Sequence, residues 1–396
     1  METTELLEAV ARGEDSRHQF KKDVVNAASL AAEVAAFANS GGGQIFIGVA
    51  DDGSIHELDL AAVGRINQLI SNTASTNVRP AINPRTENVS FGNGIVLVVT
   101  IPDGLSKPYV DNSGVIWVKC GSDKRRVTAR EEIQRMFQSA QLLHGDDVPV
   151  PGTSASDIDV EYFRQFFTKR FEMDLDEQGL SLAQVLTNMR LLNSGLLTVS
   201  GALLFATDPT PLVPAFHIKA VCYPGTDIHA SQYADSADIY GRVDAQFERA
   251  MSFVLRNLRR EQRDQGVNTE GILEVPRIVF EELLANAIIH RDFFVSAPIR
   301  IFVFDDRVEI ISPGHLPNNL TVANIRSGNS NIRNPILASY ATKVLPYRGL
   351  GNGIVRAIKE YPEIEFIDDR DGNQFVAIVR RPSANACRER RIQLAN

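Results

Sequence analysis

Three polar residues recur at intervals of four in the C-terminal third of the chain: Glu282, Asn286 and His290. Because a helix turns once in about 3.6 residues, this spacing places all three on one helical face. An amide oxygen is a hard ligand that suits Mg²⁺, and a carboxylate can accept a proton from an attacking water. The pattern predicts a magnesium–nucleotide site with Glu282 as catalytic base and Asn286 as metal ligand. The alternative is a helix with an exposed polar stripe.

A glycine loop and two further segments follow this helix. Gly349, Gly351 and Gly353 alternate just before a predicted helix, where backbone amides can approach phosphate oxygens and the helix N-terminus favours anions. Ser312–Pro317 follows a predicted strand and is either the floor of a base pocket or a simple turn. The polar stretch Arg326–Arg333 is a candidate lid over phosphates.

The order of these segments resembles the Bergerat ATP-binding fold of gyrase, the large heat-shock chaperones, histidine kinases and MutL. It is most similar to the branch described as a RecG C-terminal-like ATPase. The resemblance rests on the strings Glu282–Asp292, Asp305–Arg307, Ser312–Gly314 and Arg333–Pro335.

The resemblance implies that the C-terminal domain takes ATP and Mg²⁺ as cofactors, with Asn286 holding the metal and Glu282 positioning water. Further cofactor-binding candidates are His290, Asp292, Ser312, Gly314, Arg333, Asn334, Gly349, Gly351 and Gly353. Bergerat proteins generally place an aspartate against the adenine amine, but here the matching place reads Ser312–Gly314. ATPase activity therefore stays an open question at the level of sequence.

The first part of the chain contains a second pattern. A polar stretch, Glu14–Lys21, precedes an alanine-rich predicted helix, Asn26–Asn39, a glycine run, Gly41–Gly43, and a predicted strand, Gln44–Val49. This order resembles the Schlafen-like AlbA-type domain, a nucleic-acid-binding module, over roughly residues 13–138. Together the two resemblances imply a family of bacterial transcriptional regulators.

Basic residues of this region are the predicted contacts to DNA or RNA, because lysine and arginine release counterions when they neutralise phosphates. They are Lys21, Lys119, Lys124, Arg125 and Arg126. The alternative for Lys124–Arg126 is a solvated turn. Trp117 either stacks on a base or belongs to the core.

The resemblance also raises nuclease activity, because Schlafen nucleases hold a metal with clustered carboxylates. Glu14 matches the first of these, and Asp51 or Asp52 is the candidate for a later one, so Glu14 and Asp51 are the predicted metal ligands. Gln19 stands where the second glutamate is typical, and a neutral amide is a poorer ligand for a hard cation. We therefore expect an ATP-binding regulator whose nucleotide state controls nucleic-acid engagement. The alternative is an ATP-gated, metal-dependent nuclease acting in phage defence.

Composition sets the frame for these predictions. The chain has 396 residues, a formal net charge of -8 and three widely spaced cysteines in no metal or disulfide pattern. The negative charge argues against a general nucleic-acid coat but allows a local basic patch. Without a secretory or membrane-spanning pattern, we expect a cytoplasmic protein with no membrane partner, and by analogy a homo-oligomer.

The predicted fold class is α+β. Residues 1–145 form a Schlafen/AlbA-like domain, 156–270 a mixed α/β connecting region and 271–396 a Bergerat α/β sandwich with a basic tail. Within the connecting region, Ala202–Phe205 is predicted as a strand.

Overall fold

The computed structural model describes residues 1–140, 142–228, 232–261, 271–317, 320–349 and 351–382. The chain divides into two compact units, Met1–Leu143 and His144–Asn396. Both units mix helices with sheets, which confirms the predicted α+β class. None of the helices in those ranges has the length and apolar character that crossing a bilayer requires. The predicted basic tail, with Cys387, falls outside the described residues.

Four helices and eight strands build the described part of the first unit. The helices are α1 (Thr3–Arg12), α2 (Ala27–Asn39), α3 (Leu60–Asn72) and α4 (Arg130–Ser139). The strands are β1 (His18–Lys21), β2 (Gly43–Ile47), β3 (Val78–Arg79), β4 (Arg85–Phe91), β5 (Gly94–Ile101), β6 (Val110–Asp111), β7 (Trp117–Cys120) and β8 (Asp123–Arg126). A short π-helical segment, Thr73–Asn77, continues α3.

A four-stranded sheet in the order β1-β2-β5-β4 is the centre of this unit, with β1 parallel to β2 and the other pairs antiparallel. Leu30 and Phe37 of α2 pack on one face together with side chains of α3. Leu6 of α1 packs on the other face against Phe20. Because alanines occupy much of α2, its backbone lies close to its neighbours, and all residues from Leu30 to Ala38 are buried.

The second unit contains eight helices and ten strands in its described residues. The helices are α5 (Val160–Phe171), α6 (Leu182–Asn188), α7 (Val199–Phe205), α8 (Val243–Asn257), α9 (Arg277–His290), α10 (Val322–Arg326), α11 (Pro335–Ala341) and α12 (Gly353–Glu360). The strands are β9 (Leu192–Asn193), β10 (Leu196–Leu197), β11 (Ile218–Cys222), β12 (Asp235–Ile239), β13 (Arg260–Glu261), β14 (Ile272–Leu273), β15 (Ile299–Val303), β16 (Arg307–Pro313), β17 (Ile364–Asp369) and β18 (Gln374–Arg380).

Six of these strands form one sheet in the order β12-β11-β15-β16-β18-β17. β11 runs parallel to β15, and every other neighbouring pair is antiparallel. Helix α8 packs on β11 and β12, and α9 packs on β16. The predicted connecting region, residues 156–270, therefore contributes two strands to the sheet that the predicted C-terminal domain completes, and the two regions share one core.

One predicted strand is wrong. Ala202–Phe205 belongs to helix α7, which begins after Thr198 because the Thr198 side chain accepts a hydrogen bond from the Gly201 backbone amide. All seven residues of α7 are buried, so the short apolar run has no amphipathic period that would distinguish a helix from a strand.

Candidate functional site

One cavity of the second unit lies between α9, the end of β16 and the start of α12. Its empty volume, counted out to the open mouth, is about 1020 Å³. The predicted residues that line it come from four separate segments: Glu282, Asn286, His290, Ser312, Gly314, Arg333, Gly349, Gly351 and Gly353. The face of α9 that bears Glu282 and Asn286 therefore turns toward a cavity rather than forming an exposed polar stripe.

Glu282 is buried in the cavity wall, with 4% of its surface exposed. Its Oε1 forms an ion pair with Arg356 of α12. Burial raises the pKa of the Glu282 carboxyl, and the guanidinium of Arg356 opposes that rise. A methyl group on Gly353 would overlap Oε2 of Glu282, so the absence of a side chain at Gly353 lets the first turn of α12 approach this carboxylate.

Asn286 and His290 continue the same helical face. Nδ2 of Asn286 donates to the Glu282 carbonyl at 2.7 Å, which leaves the amide oxygen as the atom available to a cation. Desolvation, and secondarily the nearby Arg333, lower the pKa of His290 to about 4, so the imidazole is neutral at pH 7. Its Nε2 lies 3.5 Å from the Tyr347 hydroxyl. His290 is thus a neutral wall of the cavity rather than a cation for phosphate.

Arg333 connects three segments of the cavity. Its Nη1 donates to the His290 carbonyl at 3.3 Å and its Nη2 to the His315 carbonyl at 2.5 Å. Gly314 has a φ of +96°, and a methyl group there would lie 2.6 Å from Nη1 of Arg333 and 2.5 Å from Cβ of Asp292. The turn after β16 therefore requires glycine both for its backbone conformation and for this close approach.

Two of the predicted cofactor-binding residues do not line the cavity. Asn334 is completely buried, and its Nδ2 donates to the carbonyls of Ile289 at 2.8 Å and Arg291 at 2.7 Å, which satisfies carbonyls at the end of α9. Asp292 accepts a hydrogen bond from the Phe294 amide at 2.9 Å. The Asn334 side chain stabilises the end of α9, the Asp292 side chain is bonded within the turn after it, and neither residue is among those that line the cavity.

Two cations of the cavity, Arg348 and Arg356, were not among the residues predicted from the sequence. Arg356 follows Gly353 by three positions, so the two residues lie on the same face of α12. This spacing could have been found in the sequence. Apolar side chains cover much of the remaining wall, including the stacked rings of Phe366 and Phe375, whose centroids are 5.9 Å apart. Among the described lining residues, Glu282 is the only carboxylate.

Ser312 occupies the place where Bergerat proteins generally carry an aspartate. Its Oγ donates to the Ala287 carbonyl at 3.3 Å and can still accept a hydrogen bond through its lone pairs. A neutral hydroxyl is a weaker acceptor than a carboxylate.

In the first unit, the predicted metal ligand Glu14 is part of a hydrogen-bonded chain. Oε1 of Glu14 accepts from Nε2 of Gln19 at 2.5 Å and from the Phe20 amide at 2.7 Å. Oε1 of Gln19 accepts from Nζ of Lys119 at 2.7 Å, and Nζ of Lys119 also lies 3.9 Å from Glu33. The side chain of Lys119 is 1% exposed, and burial lowers its pKa although Glu33 and Glu14 oppose this.

The second predicted metal ligand, Asp51, is exposed in the turn after β2. Within the described part of the chain, no group of three or more His, Cys, Asp or Glu side chains is arranged to hold a metal ion. The positive charge beside Glu14 and Glu33 is instead the ammonium group of Lys119.

The other predicted basic contacts lie in and around a hairpin. Lys124–Arg126 forms strand β8 paired with β7, where the sequence had allowed a solvated turn. Arg126 is exposed, with its guanidinium 5.1 Å from the ring centre of Trp117. Lys124 forms an ion pair with Glu33 at 2.6 Å. Arg125 pairs with Glu132 through contacts of 2.6 and 3.0 Å.

Lys21 is half-buried at the end of β1. Trp117 is also half-buried, and its Nε1 donates to Asp111 at 2.8 Å. Within the hairpin, Arg126 is exposed and its guanidinium lies over an aromatic ring, whereas Lys124 and Arg125 pair with carboxylates. Lys119 is buried inside the unit, so among the predicted phosphate contacts Arg126 is the best placed to meet a ligand.

Comparison with known proteins finds two family models, each of which matches one part of the chain. Residues 14–128 match the family model described as "Schlafen, AlbA_2". Residues 296–378 match the model described as "Putative ATP-dependent DNA helicase recG C-terminal". The chain thus joins an N-terminal region similar to Schlafen/AlbA domains to a C-terminal region similar to the RecG C-terminus, which confirms both resemblances. The second match begins after α9, so Glu282 and Asn286 lie outside it.

Two solved structures are similar at low identity. The DIP2311 protein from Corynebacterium diphtheriae is 22% identical, with a TM-score of 0.45, over 96% of this chain and 81% of that one. The N-terminal domain of a RecG-related protein from Nitrosomonas europaea is 21% identical, with a TM-score of 0.24, over 33% of this chain and 96% of that one. No curated protein matches at a significant level.

Proposed function

We propose that this protein is a nucleotide-responsive regulator: the second unit binds ATP with Mg²⁺, the first unit binds nucleic acid, and the nucleotide state controls that engagement. The observation that carries the proposal is the cavity that collects Glu282, Asn286, Arg333 and the loop from Gly349 to Gly353. Side chains from four segments, far apart in sequence, converge there, and the lining combines three arginines with apolar groups.

The donor set of the cavity fits a magnesium nucleotide. The amide oxygen of Asn286 would hold the cation, and Arg348 and Arg356 offer charge to phosphate oxygens. When bound, Mg²⁺ supplies charge neutralisation on the phosphates. The buried carboxyl of Glu282 accepts a proton from water only once Arg356 no longer pairs with it, because that ion pair favours the ionised, less basic form.

Thermal unfolding with nucleotides tests the first half. A ligand at a hundredfold excess over its Kd stabilises the folded state by about 2.7 kcal/mol, which corresponds to a rise in Tm of roughly 5–10 °C for a unit of this size. We expect ATP with Mg²⁺ to produce such a rise in the natural protein and a much smaller one in Asn286→Ala. Asn188→Ala, at an exposed asparagine that ends α6 outside the cavity, is the control. A natural protein whose Tm does not respond at millimolar nucleotide contradicts the proposal.

The nucleic-acid half rests on the β7–β8 hairpin. Arg126 is exposed and held over Trp117, and Lys124 and Arg125 precede it on the same strand. Two of these cations have carboxylate partners, so their contribution to phosphate binding is reduced by the charge they already neutralise. We therefore assign the largest single contribution to Arg126.

The salt dependence of binding tests this assignment. Arg126→Ala is expected to lower the slope of log K against log salt by about one, similarly for all sequences, and Arg125→Ala by less. Lys219→Ala, an exposed lysine of the second unit, is the matched control and leaves the slope unchanged. An unaltered slope in Arg126→Ala would remove the hairpin from the proposed interface.

The nuclease alternative is less well supported. A metal site at Glu14 would have to displace the amide of Gln19 from that carboxylate and compete with the buried ammonium of Lys119. Gln19 already donates a hydrogen bond to Glu14, and Lys119 already donates one to Gln19. A divalent cation would replace these bonds and therefore gains little there.

A further inference from the structure

The segment that follows the first unit is hydrogen-bonded to Arg333, a residue of the cavity lining, and to the start of α11. It forms a short 3₁₀ turn, Gly145–Asp147, in which Asp146 is completely buried. Oδ2 of Asp146 accepts hydrogen bonds from the backbone amides of Ile336 at 2.8 Å and Leu337 at 2.9 Å. A buried carboxylate is retained only where hydrogen bonds offset its desolvation, so this contact joins the turn firmly to the first turn of α11.

The two residues before Asp146 contact neighbouring parts of the same region. Nδ1 of His144 lies 3.1 Å from the carbonyl oxygen of Arg333. Gly145 is buried against Phe293, where a methyl group on the glycine would lie 2.9 Å from Cβ of Phe293. Three consecutive residues thus contact the segment around Arg333 or the segment that follows α9.

Arg333 is the residue that this segment shares with the cavity. Its guanidinium lines the cavity and donates to the carbonyls of His290 and His315, while its own carbonyl faces His144. Asp146, two residues after His144, accepts hydrogen bonds from two backbone amides at the start of α11. A ligand that contacts the Arg333 side chain therefore acts on a residue whose backbone carbonyl is hydrogen-bonded to His144, in the segment that follows the first unit.

We propose that His144 and Asp146 are coupling residues, which transmit nucleotide occupancy from the Arg333 segment to the chain that leads into the nucleic-acid-binding unit. Coupling between two ligands is reciprocal: nucleotide changes nucleic-acid affinity by the same factor as nucleic acid changes nucleotide affinity. This inference rests on the proposed function, since it requires both ligands to bind.

The experiment measures the Kd of the full-length protein for a labelled DNA duplex and a labelled single-stranded RNA, each with and without ATP and Mg²⁺. In the natural protein we expect the two Kd values for at least one nucleic acid to differ by about fivefold or more, the lower end of typical coupling. In His144→Ala and in Asp146→Ala the ratio falls to about one, whereas nucleotide still raises the Tm. Asp146→Asn, which retains an acceptor oxygen for the two amides, restores part of the ratio.

Asp147→Ala is the matched control, because that neighbouring carboxylate pairs with Arg190 rather than with the Arg333 segment. We expect Asp147→Ala to keep the natural ratio of the two Kd values. His144 is only half-buried, so His144→Ala tests the inference even if Asp146→Ala does not fold. A natural ratio of one, or a ratio unchanged in His144→Ala, overturns the coupling but leaves nucleotide binding intact. A natural protein that binds no nucleotide overturns both the coupling and the proposed function.

Discussion

Glu282 and Arg356 form an ion pair inside the cavity of the second unit, across the first turn of α12. The N-terminus of α12 and the guanidinium of Arg356 both attract negative charge, and the Glu282 carboxylate lies beside them. This carboxylate therefore occupies the position proposed for a phosphate group. A phosphate that pairs with Arg356 would free Glu282, and the freed carboxyl would be the stronger base.

The energetic coupling of this pair is measurable. Arg356→Gln leaves the buried Glu282 without its cation, and Glu282→Gln leaves Arg356 unpaired. Because 33% of the Arg356 side chain is exposed, solvent screens the pair, and we expect a coupling of about 1–2 kcal/mol rather than the roughly 3–5 kcal/mol of a fully buried pair. Urea unfolding of both single variants and the double variant gives this value. The exposed pair Arg277–Glu281 is the control, and additive losses at Glu282 and Arg356 would contradict the coupling.

Glu282→Gln separates binding from chemistry. The amide keeps the shape of the side chain but cannot accept a proton, so we expect nucleotide still to raise the Tm while any hydrolysis falls by about 10²–10⁴-fold. Phosphate release from purified protein is the measurement. Glu281→Gln, on the adjacent position of α9 and outside the cavity, should hydrolyse normally. Equal turnover in Glu282→Gln would place the base elsewhere.

Two glycines should respond in opposite directions to the same substitution. Gly353→Ala brings a methyl group against Glu282, so we expect a lower Tm and a smaller response to nucleotide. Gly64→Ala lies in the exposed interior of α3 with open space around it, and replacing glycine there should stabilise the first unit by about 0.5–1 kcal/mol. Thermal scans of both variants decide this, and a neutral Gly353→Ala would mean that the start of α12 shifts freely.

Gln19→Glu should create a cation site. It replaces the donor to Glu14 by a second carboxylate. Nζ of Lys119 lies 2.7 Å from this side chain, but one ammonium cannot neutralise Glu14, Glu33 and a third carboxylate, so the cluster favours a proton or a divalent cation. We expect Mn²⁺ to raise the Tm of this variant but not that of the natural protein or of Gln68→Glu, an exposed control on α3. Cleavage of RNA or DNA should be absent in the natural protein. Robust natural cleavage that Glu14→Ala abolishes would restore the nuclease alternative.

The pH dependence of stability should report His290. Its pKa in the folded state, about 4, lies below the ordinary value of 6.5. The contribution of His290 to the free energy of unfolding is therefore complete above pH 6.5 and is lost as the pH falls toward 4. The full loss amounts to about 3 kcal/mol, because each pH unit between the folded and unfolded pKa contributes roughly 1.36 kcal/mol. His290→Gln should flatten the curve of Tm against pH in this window, whereas His56→Gln, at an exposed position, should not. Parallel curves for all three proteins would contradict the assignment.

Local patterns predicted that Glu282, Asn286 and His290 share one face of α9 and that glycines precede α12, because helical periodicity and backbone permissiveness are properties of neighbouring residues. The partners of Asn334 and Lys119 were not predictable in this way. Asn334 satisfies carbonyls at the end of α9, and Lys119 meets Gln19 and Glu33 from β1 and α2. Such hydrogen bonds join elements distant in sequence, and only the folded arrangement shows that these side chains are already used.

The parallel pairing of β11 with β15 has a practical consequence for dissecting this protein. A fragment cut at residue 271, or trimmed to the matched stretch 296–378, would lose β11 and expose the full hydrogen-bonding edge of β15. The shorter fragment would also lose α9, and with it Glu282 and Asn286. Open, apolar strand edges recruit other chains, so we expect such fragments to aggregate during expression. A soluble, nucleotide-competent piece should begin near His144, before the strands that close the sheet.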